Sequence, residues 1–147
     1  MRPIAPISRL ELEIVYEYVI EFQKRGLPHA HLLLILGDDD KPQTPDDYDK
    51  FVSAEISDPT NKQQSAISDG VCSKRYPKPF CDQTHASDNG FPEYRRRYVG
   101  RTVTKKGVQL DNRHVVPYNP WLSHKYDCHI DVEICTSITG VKYLAIN

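Results

Sequence analysis

Hydrophobic and polar positions alternate along ELEIVYEYVIEFQ (11–23): Ile14, Tyr16, Tyr18, Ile20 and Phe22 fall on one side, Glu13, Glu17, Glu21 and Gln23 on the other. A period of two built from β-branched and aromatic residues predicts a strand. Lys24–Pro28 contains Gly and Pro and predicts a tight connection. His29–Leu36 (HAHLLLIL) then predicts a second strand, apolar on both faces and therefore central in its sheet, so that the two form a β-hairpin. After a turn at 37–42, Thr44 has the character of an N-cap, with Pro45 at the first helical position and Asp46 and Asp47 in the first turn. Tyr48, Phe51 and Val52 supply the apolar stripe of a short helix expected to end near Ile56.

Residues 57–114 are rich in Pro, Gly and Asn, which predicts an irregular loop-and-hairpin insertion. VVPYNPW (115–121) predicts a short strand running into a turn. DCHIDVEIC (127–135) predicts another strand, with Cys128, Ile130, Val132 and Ile134 on one face. Thr136 or Ser137 caps an expected terminal helix that contains Val141, Tyr143 and Leu144. Helix and antiparallel strand segments in one chain of 147 residues predict a single α+β domain over 1–147.

Composition adds little until it is divided. Hydrophobic residues make up 39% and charged residues 27%, ordinary values for a globular chain. No apolar run approaches the roughly 20 residues of a membrane span, no secretory leader is evident at the start, and an intracellular protein is expected. The net charge of −1 conceals a polarity. Residues 1–70 hold seven Lys/Arg against thirteen Asp/Glu, and residues 71–147 hold twelve against seven, giving −6 and +5. A basic second half suits nucleic acid, and equally suits a merely solvated surface. No phosphate-binding loop of the GxxxxGK[ST] type is present.

Four groups of residues carry candidate chemistry. His29 and His31, two apart on a strand, point to one side. A connection at 24–28 puts Gln23 opposite His29 and Glu21 opposite His31, so that two imidazoles and a carboxylate share a face, a donor set for a divalent metal. A polar sheet face open to water has the same pattern. Tyr143, early in a helix after a strand, is a candidate phenolic nucleophile, or an ordinary packed aromatic. Tyr94, Arg95, Arg96, Arg97 and Arg101, with Lys105 and Lys106 beyond, interleave cations with rings as single-stranded DNA binding requires. A solvated basic hairpin reads the same way. Cys72, Cys81 and His85 follow C-x8-C-x3-H, but structural zinc needs four ligands and no fourth is evident, so free thiols are favoured over zinc.

Taken together these segments resemble one family. YVIEFQKRGLPHAHLLLIL (18–36) closely resembles the segment that carries the HUH motif in Helitron-type rolling-circle transposases, within the region known as the Helitron helicase-like N-terminal domain. DDDKPQTPDDYDKFVSAEISDP (38–59), CSKRYPKPF (72–80), GFPEYRRR (90–97), LDNRHVVPYNPWL (110–122) and HIDVEICTSITGVKYL (129–144) resemble the same family in the same order. The resemblance implies an RRM-like, ferredoxin-like antiparallel sheet of the HUH endonuclease type. It implies that His29 and His31 hold Mg²⁺ or Mn²⁺, with Glu21, or alternatively Gln23, as third ligand. Tyr143 is then the nucleophile that nicks single-stranded DNA, leaving a 5′-phosphotyrosine and a free 3′-hydroxyl, and the place of action is nuclear.

The sequence also departs from the family pattern. The second tyrosine of a Tyr-x-x-x-Tyr pair is replaced by Asn147. An upstream first strand, a Cys- and His-containing stretch before Cys72, and the helicase domain that normally follows are lacking. A partial domain is therefore expected, either a nicking enzyme or a DNA-binding transposon remnant without catalysis. An oxygenase built on two His and a carboxylate is the reading from another class, and nothing else in the sequence asks for it.

Overall fold

The computed structural model describes residues 15–22, 28–57, 76–88, 90–127 and 130–137. The chain is α+β. It divides into two compact units, Ser8–Pro42 and Gln43–Asn147 with Met1–Ile7.

The first unit contains an antiparallel hairpin of β1 (Val15–Phe22) and β2 (Pro28–Ile35). The register runs from Val15 opposite Ile35 to Phe22 opposite Pro28, so the connection spans 23–27, one residue earlier than the sequence suggested. Pro28 is tolerated because it opens its strand, where the ladder needs no N–H from it. The expectation that β2 is central in its sheet is not met among the described residues. Among the described residues its one strand partner is β1, and Leu32 and Leu34 are 64% and 44% exposed.

In the second unit, α1 (Pro45–Phe51) starts where expected. The Thr44 hydroxyl accepts the Asp47 N–H, and the Asp47 carboxylate accepts the Thr44 N–H at 3.0 Å, a reciprocal capping box. Lys50 and then Thr44 hold the Asp47 carboxyl well below the usual carboxylate range. The helix stops at Phe51 rather than near Ile56 because Val52 is extended and Ser53 exchanges backbone bonds with Tyr118 at 2.8 and 3.0 Å. Tyr118 also bridges to Asp131, so three short extended segments lie side by side. The expected strand at 127–135 is reduced to that bridge among the described residues. Its alternation still holds, since Val132 and Ile134 pack inward against Val52, Ala54 and Tyr94, while Asp131 and Glu133 are exposed.

A two-residue turn links β3 (Val103–Lys105) to β4 (Val108–Leu110). Lys106 and Gly107 both have positive φ, 50° and 80°, as the strand twist requires of such a turn. A 3₁₀ turn at Asn112–His114 follows, and then α2 (Pro120–Tyr126). In place of the expected strand running into a turn over 115–121, Asn119 caps this helix, accepting the Leu122 N–H at 2.8 Å ahead of Pro120. Asn-Pro here is the same signal as Thr44-Pro45. A second core cluster joins Leu110, Val115 and Tyr118 to Ile56 and Val103.

Two buried asparagines close this unit. Asn119 is fully buried and, besides capping α2, donates to the Phe51 carbonyl at 2.7 Å. Asn112 accepts the Ile56 N–H and donates to the Arg97 carbonyl, both at 2.8 Å. Each amide thus satisfies backbone groups that no sheet or helix reaches. Asn119→Ala removes a cap and leaves the Phe51 carbonyl buried without a donor. A loss of about 2–3 kcal/mol in urea unfolding is expected, and a loss under about 0.5 kcal/mol would contradict this role.

Candidate functional site

The hairpin register sets the histidine positions. Glu21 lies opposite His29 and Val19 opposite His31, not Gln23 and Glu21 as inferred from a connection at 24–28. The slip is two residues, and a slip of two preserves which positions share a face. Positions 21, 29 and 31 therefore still fall on one face, with Glu21 now directly across from His29. Tyr16, Tyr18, Ile20, Ala30, Leu32 and Leu34 are positions of the other face. His31 is exposed. Gln23 and Tyr143 lie outside the described residues. Among the residues whose side chains are described, which do not include Glu21 and His29, no group of three or more His, Cys, Asp or Glu is arranged to hold a metal ion.

The basic stretch does not form one continuous surface. Tyr94, expected as a stacking ring, is a core residue, 5% exposed, whose hydroxyl accepts the Ile134 N–H at 2.9 Å. Burial, reinforced by Glu133, drives its hydroxyl pKa well above the ordinary tyrosine value. Arg96 bridges backbone-to-backbone with Cys81, so the chain is extended there and alternate arginines point in opposite directions. Arg95 pairs with Asp49 at 3.1 Å, and Thr84 donates to the same Asp49 carboxylate. Arg97 clasps Glu55 with Nε at 2.8 Å and Nη2 at 2.6 Å, while its N–H reaches the same carboxylate. Arg96 is buried instead, its guanidinium 5.9 Å from the Tyr76 ring centroid. Arg101 donates to the Ile56 carbonyl at 3.0 Å. Lys105 is half-buried and Lys106 exposed, on the β3–β4 turn.

Arg95 and Arg97 thus stabilise the fold by answering half-buried acids. Burial pushes the Glu55 carboxyl up, but its bonds from Arg97, with the charge of Arg95 behind them, outweigh this and hold it below the ordinary value. Asp111 is lowered as well, first by its bond from Arg113.

The cysteine and histidine pattern is partly realised. Cys81 Sγ lies 3.6 Å from His85 Nδ1 and donates to the Gln83 carbonyl at 2.8 Å. The other ring nitrogen of His85 is 3.4 Å from Glu93. Cys72 lies outside the described residues. Cys135 is half-buried, and burial raises its thiol pKa.

Sequence reasoning missed an exposed aromatic pair. Phe80 and Tyr98 meet edge to face, ring centroids 5.3 Å apart with planes at 73°. Arg113 lies over the Phe80 ring, 4.8 Å from its centroid. The signal was present, because Tyr98 ends the same basic stretch and Phe80 ends KRYPKPF. Nothing local showed that Tyr94 turns inward while Tyr98 turns out.

No protein-family model matches the chain, and no curated protein matches it significantly.

The Glu55 site generates a pH prediction. A carboxyl whose folded pKa is depressed contributes stability that is fully present above its unfolded value and lost as pH falls through the folded one. Thermal midpoints should therefore fall as pH drops below about 4.5. Glu55→Gln should cost about 1–2 kcal/mol at neutral pH, discounted for the half-exposed Arg97, and should flatten the acid slope. An unchanged slope in the variant would remove Glu55 from this role.

Proposed function

We propose that the chain is a single-stranded-DNA nicking domain of the Helitron rolling-circle type, with the HUH fold, acting on nuclear DNA. The observation that carries this reading is the hairpin register: Glu21 opposite His29, with His31 two positions along the same face. Two imidazoles and one carboxylate at these positions of a paired ladder are a suitable donor set for Mn²⁺ or Mg²⁺. The all-apolar opposite face is what a sheet backed by helices requires.

In this reading Glu21, His29 and His31 hold the cation, and Gln23, beyond the paired strand, is displaced as a ligand by Glu21. A bound divalent ion supplies charge stabilisation to the scissile phosphate. The Tyr143 phenolic oxygen attacks phosphorus. A new O–P bond forms, the bond to the 3′-oxygen breaks, and the products are a 5′-phosphotyrosine and a 3′-hydroxyl. Asn147 cannot repeat this step because an amide offers no phenolic oxygen, which limits this chain to one covalent event. That substitution is also what favours the second reading, a DNA-binding remnant that no longer cleaves. Zinc at Cys81 and His85 plays no part in either.

The test is transfer of a 3′-end label from single-stranded oligonucleotides to protein with Mn²⁺ present, since the covalent link retains the fragment downstream of the nick. A denaturant-resistant adduct is expected. Tyr143→Phe should abolish it, and His29→Ala or His31→Ala should lower its rate at least about a hundredfold. Glu21→Ala should be far more damaging than Gln23→Ala. Absence of any adduct across a randomised oligonucleotide pool overturns the nuclease. Salt-sensitive binding that persists without an adduct establishes the remnant.

A further inference from the structure

Phe80 and Tyr98 combine exposure with fixed geometry. Tyr98 is 77% and Phe80 38% exposed. Both rings stand on pinned backbone. Next to Phe80, Cys81 exchanges two backbone bonds with Arg96, at 3.1 and 2.7 Å. Next to Tyr98, the Arg97 N–H is held by Glu55 and its carbonyl by the Asn112 amide. The rings therefore need little ordering on binding, which is the condition for an efficient contact surface.

Their surroundings select the partner. Arg113 covers part of Phe80 while its guanidinium also pairs with Asp111 at 2.7 Å. The half of the chain that supplies these residues carries net charge +5. Aromatic faces beside cations fit a polyanion with free π-surfaces. Single-stranded nucleic acid has these, whereas in a duplex the base faces are already covered by stacking.

We propose that Phe80 and Tyr98 form a stacking platform for an unpaired base of single-stranded DNA, with Arg113 beside it for the adjoining phosphate. This rests on the DNA-binding part of the proposed function and is independent of its cleavage step. Tyr98, not the buried Tyr94, is then the ring of the basic stretch that meets the strand.

The experiment uses the full chain and oligodeoxynucleotides carrying 2-aminopurine, with fluorescence and anisotropy read across a salt series. Stacking should change the 2-aminopurine emission. Tyr98→Ala should weaken binding about tenfold and abolish that change, Tyr98→Phe should retain both, and Phe80→Ala should act in the same direction. Because a ring releases no counterions, the slope of log affinity against log salt should stay as in the wild type. Wild-type affinity in both alanine variants overturns the platform even if the Tyr143 adduct forms. Ring-dependent binding without an adduct supports the platform while the nuclease reading falls. No binding by the wild type overturns both.

Discussion

Side chains that bond to backbone tie distant segments of the larger unit together, because its regular elements are short. Among the described residues its regular elements are two seven-residue helices, a three-residue hairpin pair and a 3₁₀ turn. The polar groups of the segments between them must be answered individually, since an unanswered buried N–H or C=O costs as much as a lost hydrogen bond. Asn112 and Asn119 answer four such groups at the 51–56, 97 and 122 positions. Apolar packing then closes around them, with Val52 and Val115 each under 2% exposed. Without the two amides the two core clusters would lose the segments that bring their residues together.

The same constraint explains the arginines. Glu55 sits beside this buried framework, where its carboxylate needs cationic donors to stay charged. Arg97 gives it two side-chain bonds and one backbone bond, and Arg95 adds a weaker contact at 3.9 Å. A run that reads as a nucleic-acid patch by composition is thus consumed in large part by the fold. Tyr98, in the same run, turns its ring outward instead.

The local signals were legible wherever chemistry within a few residues decides the outcome. The Thr44 cap, the Pro45 start, the β1–β2 pairing and the inward alternation of Val132 and Ile134 all follow from spacing and residue type. Two failures share one cause. The end of α1 and the division between Tyr94 and Tyr98 depend on partners 40 to 65 residues away, Tyr118 for Ser53 and Ile134 for Tyr94. No local window contains those partners. The helix after Asn119 is different, since its Asn-Pro cap is a local signal. The hairpin register is intermediate: its faces are set by alternation, but its partner-by-partner alignment depends on where the connection begins, and a difference of one residue there moves every pair by two.

That hairpin links stability to the proposed chemistry. A two-stranded sheet is marginal in water by itself, and the ladder from Val15–Ile35 to Phe22–Pro28 is what sets the spacing of positions 21, 29 and 31. On the opposite face Tyr18, Ile20, Leu32 and Leu34 are 44–64% exposed. Covering such a face stabilises by roughly 25 cal/mol for each Å² removed from water. On the other face Val15, Val19, Leu33 and Ile35 alternate with the proposed ligand positions. Apolar positions on both faces therefore bear on how firmly those positions are held. Polar substitutions at Leu32 or Leu34, on the face away from positions 29 and 31, would loosen the proposed metal site without touching it.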